Sequence, residues 1–136
     1  MTQEIEKTIL DAIPGAAELR TWFGCWPGFH DAEIRSLILN RDGTSVLSIH
    51  TWQMTKQADE RGYFVSDKHV LVHFRIEEIF ALKLDDFSEQ NVVSGLSLSP
   101  VENGFEFALH PCFGLAGSIA ARKLTIDFQP MPTATH

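Results

Sequence analysis

The chain has 136 residues, 44% of them hydrophobic and 21% charged, which is the balance of one folded domain that buries a core without metals or disulfides. Its formal net charge of -7, from 18 acidic against 11 basic residues, argues against a nucleic-acid binder, which needs a basic face for phosphate. The acidity suits either a basic protein partner or simple solubility. Cys25 and Cys112 lie far apart, form no CxxC pair, and read as free thiols of a reducing compartment. Met1 to Lys7 lacks the basic and apolar regions of a secretory signal, and no apolar run reaches the ~20 residues of a membrane span. The expected location is the cytoplasm, with no membrane partner.

Residues 3–13 set Ile5, Ile9, Leu10 and Ile13 on one helical stripe, with Glu4 and Glu6 placed early where the helix dipole favours them, and Pro14-Gly15 ends that helix. Ala16 to Phe23 predicts a second short helix, with Leu19, Trp22 and Phe23 close on one face and Gly24 as terminator. Trp26-Pro27-Gly28-Phe29-His30-Asp31-Ala32-Glu33 cannot extend it, because proline removes a donor and biases its predecessor toward extended geometry. This stretch reads as a corner between a helical cap over about 3–24 and a sheet over about 32–128. Trp26 and Phe29 would pin the corner, while His30 and Asp31 satisfy its backbone.

Residues 32–41 and 45–54 are rich in Ile, Leu and Val, and Arg41-Asp42-Gly43-Thr44 between them is a hairpin signal. In the second of these strands Leu47, Ile49 and Thr51 share one face, and Ser48, His50 and Trp52 share the other. Thr55 to Asp67 is polar and reads as an exposed connection or a long hairpin end, whose Tyr63 and Phe64 either tuck onto the body or anchor a partner. Lys68 to Ile76 alternates, with Val70, Val72, Phe74 and Ile76 inward and His69, Leu71, His73 and Arg75 outward. Phe80 to Leu84 predicts a short fourth strand with Phe80, Leu82 and Leu84 inward. Residues 88–95, from Ser88 to Gly95, predict a turn or two of helix. Leu96 to Ser99 and Phe105 to His110 form a second hairpin around Glu102-Asn103-Gly104. A last strand over about 119–128 turns Leu124, Ile126 and Phe128 inward, ahead of a frayed tail over 129–136.

The sum is a single α+β domain, a meandering antiparallel sheet of about six or seven strands with short helices at the N-terminus and one in the second half. A single twisted sheet with one helix-covered face is expected, and a partly closed barrel is the competing arrangement. Edge strands of an open sheet would also offer a route to a homodimer.

No phosphate loop, nucleophile elbow or reactive-cysteine signature occurs, so the expectation is no enzymatic activity, no catalytic residue and no cofactor. His30-Asp31 invites comparison with metal-dependent hydrolases, yet no histidine precedes His30 to supply the partner ligands. His50, His69, His73 and His110 all fall on outward strand faces. Zinc needs three or four converging ligands, and His69 and His73, about 13 Å apart along one strand, cannot chelate one ion directly. A metal-binding module or metal-dependent enzyme using the histidine-bearing face is the alternative to a protein-binding surface. For a protein-binding surface the candidate residues are Trp52, Tyr63, Asp59, Glu60, His73 and Arg75, drawn from the polar loop and the mixed sheet face.

Trp26-Pro27-Gly28-Phe29-His30-Asp31-Ala32-Glu33, Ile49-His50-Thr51-Trp52-Gln53-Met54-Thr55, Arg61-Gly62-Tyr63, Lys68-His69-Val70-Leu71-Val72 and Gln90-Asn91-Val92 together resemble the immunity protein 50 family, in an order that covers most of residues 22–98. The resemblance implies a small cytoplasmic bacterial protein that protects its producer by binding and blocking a cognate polymorphic toxin. It carries over no catalytic or binding residue to a position of this chain.

Overall fold

In a computed structural model of the chain, which describes residues 12–58, 60–62 and 64–131, the polypeptide enters its sheet through one short helix. Helix α1 spans Ala16–Phe23 and buries Ala16, Leu19 and Phe23. Gly15 opens it at φ 93° and Gly24 closes it at φ 98°, where the Gly24 N–H donates to the Arg20 carbonyl. Side chains are disfavoured in this left-handed region, so both boundaries are written into the sequence as glycines.

Six strands follow: β1 (Ala32–Ile38), β2 (Ser45–Ala58), β3 (Phe64–Asp85), β4 (Val92–Val101), β5 (Gly104–Phe113) and β6 (Ala116–Pro130). They pair antiparallel in the order β1-β2-β3-β6-β5-β4 and close into a barrel. Two three-stranded meanders are thereby joined along two seams. The β3–β6 seam is long, running from Val70↔Pro130 to Asp85↔Ala116. The β1–β4 seam is short, with only Ala32↔Val93 and Glu33↔Val92 in register.

Inward alternation fills the barrel. Leu47 and Ile49 from β2, Val70, Val72, Phe74 and Ile76 from β3, Phe107 and Leu109 from β5, and Ile119, Leu124 and Ile126 from β6 are all buried. Phe74 contacts Phe107 at 4.7 Å and Phe29 at 5.8 Å between ring centroids, and Phe29 contacts Trp26 at 5.7 Å. This aromatic file occupies the space that a six-stranded barrel leaves for side chains. The void among Trp26, Phe74, Leu98, Phe107 and Ile126 is only about 10 Å³.

Strand β5 pairs with β6 only from Leu109↔Gly117 to Phe105↔Ala121, so the second half of β6 needs another neighbour. The segment before α1 supplies one, because the Ile126 N–H donates to the Pro14 carbonyl at 2.8 Å. The helix then packs beside it, with Trp22 against Phe128 at 5.7 Å and the Lys68 ammonium donating to the Trp22 carbonyl at 3.1 Å.

Several sequence expectations are corrected. The sheet is not an open one with a single covered face, because β1 reaches round to β4 and closes it. Closure pairs only the first residues of the two edge strands, Ala32 and Glu33 of β1 with Val93 and Val92 of β4. The separate third and fourth strands are one 22-residue strand. That strand carries Glu78 at φ 58° and shifts register against β6 between Ile79 and Ala81. A bulge adds one unpaired residue and interrupts the alternation locally. Phe80 and Leu82, expected inward, are 46% and 45% exposed, while Leu84, also expected inward, packs against the core.

The helix expected over 88–95 is a turn followed by β4. Asn91 bonds the Ser88 N–H and carbonyl with its own side chain, which holds a turn in place of helical hydrogen bonds. The first hairpin is looser than its Asp-Gly pair implies. Strand β1 stops at Ile38, and the loop 39–44 is tied by the Asn40 N–H donating to Ser45 Oγ at 2.9 Å. The polar stretch 55–67 is a long hairpin end, with strand to Ala58 and again from Phe64. Of the helix expected over 3–13, residues 3–11 lie outside the described residues and 12–13 form a turn and bend.

Candidate functional site

The outer face of β2 and β3 carries the histidines, as their alternation requires. Register places His50 opposite Leu71 and Ser48 opposite His73. The His50 Nε2 lies 3.0 Å from His69 Nδ1, and Trp52 stacks on His69 with centroids 5.9 Å apart and planes at 24°. The two imidazole centroids are 5.2 Å apart, close to the largest separation that a 3.0 Å contact allows, so the nitrogens meet head-on as donor and acceptor. Two ligands of one metal would instead aim their lone pairs at a common third point. Burial, reinforced by His69 and Arg35 and opposed by Glu33, holds the His50 pKa below its ordinary value of 6.5.

The other histidines go elsewhere. His73 Nδ1 bonds Ser48 Oγ at 2.7 Å, and His110 Nε2 bonds Ser97 Oγ at 2.8 Å. His30 Nδ1 lies 3.3 Å from the Ser94 carbonyl of β4, so it bonds a neighbouring strand and not the corner's own backbone. Its other nitrogen is 3.5 Å from Asp31 Oδ2, and Cys112 Sγ approaches Asp31 Oδ1 at 3.9 Å. Among the described residues, no group of three or more His, Cys, Asp or Glu is placed to hold a metal ion.

Trp26-Pro27-Gly28-Phe29-His30-Asp31 is thus a built corner with Phe29 and Pro27 buried. Phe29 and Asp31 both adopt positive φ, at 56° and 61°, which turns the chain sharply into β1. Between the corner and β2 lies a cleft of about 270 Å³ lined by Gly28, Phe29, His30, Asp31, Thr51 and Trp52.

Of the candidate binding residues, Trp52, His73 and Arg75 do share the outer face of β2 and β3. Trp52 is engaged with His69, His73 with Ser48, and Arg75 with Asp127 at 3.1 Å. Glu60 is exposed in the turn beyond them. Asp59 and Tyr63 lie outside the described residues.

A second surface was not singled out from sequence. At the barrel end where β1 and β3 finish and β6 begins, Leu37, Leu39, Leu84, Asp85, Asp86, Phe87 and Leu115 line a cleft of about 460 Å³. Phe87 is 70% exposed and Leu39 45%, beside Ile38 at 54%. The available signal was Leu37-Ile38-Leu39, which places apolar residues on both faces at a strand end.

The chain matches no family model, no curated protein and no solved structure. Its class is defined by architecture alone: among the described residues, a six-stranded antiparallel barrel with one short helix and a solidly packed interior. Among the described residues no helix is long and apolar enough to cross a membrane.

Proposed function

We propose that the protein is a non-enzymatic immunity protein of the cytoplasm, which binds a cognate polymorphic toxin and blocks it by occlusion. One observation carries this reading. The barrel interior is filled by its own aromatic side chains, while large apolar residues remain outside, from Leu39 at 45% to Phe87 at 70% exposure. A barrel built to carry a small molecule keeps room inside, whereas a protein that works by contact keeps its apolar surface outside. Occlusion needs a specific face and no reacting group, which suits histidines that are already engaged in local hydrogen bonds. The net charge of -7 adds long-range attraction for a basic partner.

The test is neutralisation and binding. The toxin encoded beside this chain should lose its toxicity on co-expression and form a one-to-one complex that weakens as salt rises. A purified chain that neither protects against nor binds that toxin refutes the proposal.

A further inference from the structure

The geometry points to the acid-rimmed cleft at the end of β1 and β3 as the docking site for a basic segment of the toxin that inserts apolar side chains between lysines or arginines. This rests on the immunity reading and adds to it a face and a partner chemistry. The cleft floor is apolar and fixed. Leu115 is 2% exposed, and its N–H is held by Asn91 Oδ1 at 2.9 Å. Leu37 and Leu84 pack against the core, so the floor is part of the folded barrel and needs no rearrangement to receive a ligand.

The rim is apolar on one side and acidic on the other. Leu39 and Phe87 stand exposed at the mouth, and neither is needed to fill the barrel. The connection from Asp85 to Asn91 contributes Asp85, Asp86 and Glu89 and no basic residue. The loop continuing from Leu39 contributes Arg41 and Asp42, which offset one another. An apolar insert would gain by leaving water, and flanking cations would meet carboxylates instead of one another. A volume of about 460 Å³ accommodates more than one large side chain, which suits a peptide segment better than a single aliphatic anchor.

The experiment measures binding of an inactivated toxin to four full-length chains by calorimetry. Leu39→Ser/Phe87→Ser should weaken binding about tenfold or more, since buried anchors dominate interface energetics. Asp85→Asn/Asp86→Asn should weaken it at low salt and flatten its salt dependence. Thr21→Ala/Gln129→Ala, exposed and away from the cleft, should stay within about twofold of the unaltered chain. Thermal melting of each variant establishes that it is folded, and the high exposure of Leu39 and Phe87 makes their replacement mild. A second arm titrates the unaltered chain with a short peptide alternating lysine and leucine and follows amide shifts, expected at Leu39, Leu84, Phe87 and Leu115.

Toxin binding that ignores the cleft substitutions overturns the docking site and leaves the immunity reading standing. Peptide shifts confined to the cleft in a chain that binds no toxin support the site and refute the immunity reading. Absence of both kinds of binding overturns both, and a chain that dimerises until Leu39→Ser separates it places a second copy in the cleft and overturns the basic-segment assignment.

Discussion

Asn91 is the side chain on which one wall of the cleft depends, and replacing it with alanine tests that dependence. Its residue is 4% exposed. Its Oδ1 accepts from the Ser88 N–H at 3.0 Å and the Leu115 N–H at 2.9 Å, and its Nδ2 donates to the Ser88 carbonyl at 2.9 Å. Its backbone carbonyl accepts from the Ile34 N–H at 2.8 Å, next to the short β1–β4 seam. Asn91→Ala removes all three side-chain bonds. Ser88 is exposed and water can replace its partners, but Leu115 is 2% exposed and its N–H is left without an acceptor. One orphaned buried donor costs about 1–3 kcal/mol and two rehydrated bonds add to it, for about 2–4 kcal/mol in total. For a domain of this size that is a fall in Tm of about 6–15 °C. Circular dichroism melting measures the fall, and hydrogen exchange of the Leu115 amide locates it. Gln90→Ala, at an exposed neighbour, is the control. A drop below about 2 °C, or unchanged exchange at Leu115, would refute the reasoning.

Three further outcomes are expected. Because His50 has a folded pKa held below 6.5, the unfolded chain takes up its proton first as pH falls; stability is full above 6.5 and declines below it, and His50→Gln should flatten that part of a Tm-against-pH curve. Phe74, 1% exposed between Phe29 and Phe107, should cost about 3–5 kcal/mol as Phe74→Ala, read from the urea midpoint, while Phe80→Ala on the outer surface should cost under about 1 kcal/mol. Gly117 sits at φ 143°, where an added Cβ would lie 1.9 Å from the Lys83 carbonyl oxygen, so Gly117→Ala should cost about 2 kcal/mol or more; Gly95→Ala, with nothing within 4 Å, should change stability by less than about 1 kcal/mol in either direction.

Residue pattern was enough where the signal is local. The Ala16–Phe23 helix follows from an apolar face set between Gly15 and Gly24. Val70, Val72, Phe74 and Ile76 follow from strict alternation, and the corner at Trp26-Pro27 follows from the fixed geometry of proline. The outward placement of the histidines follows from the same alternation, and with it half of the candidate face.

What alternation cannot state is where it is interrupted or which strand lies alongside. The shift between Ile79 and Ala81 interrupts the strand beside the exposed Phe80 and Leu82, and no residue at that point announces a bulge. The 3.0 Å contact between His50 and His69 depends on inter-strand register, as does the separation of His73 and His110 into bonds with Ser48 and Ser97. Closure of the barrel rests on two residue pairs between β1 and β4, 61 and 59 positions apart in the chain. The apolar cleft is drawn from the ends of β1 and β3 and the turn before β6, segments far apart in the sequence, of which β3 and β6 meet through their own pairing. Composition and periodicity act within one segment and therefore fix what each strand shows to its two faces. Register, bulges and closure are settled by packing between segments, and it is these that decide which faces meet and which are left for a partner.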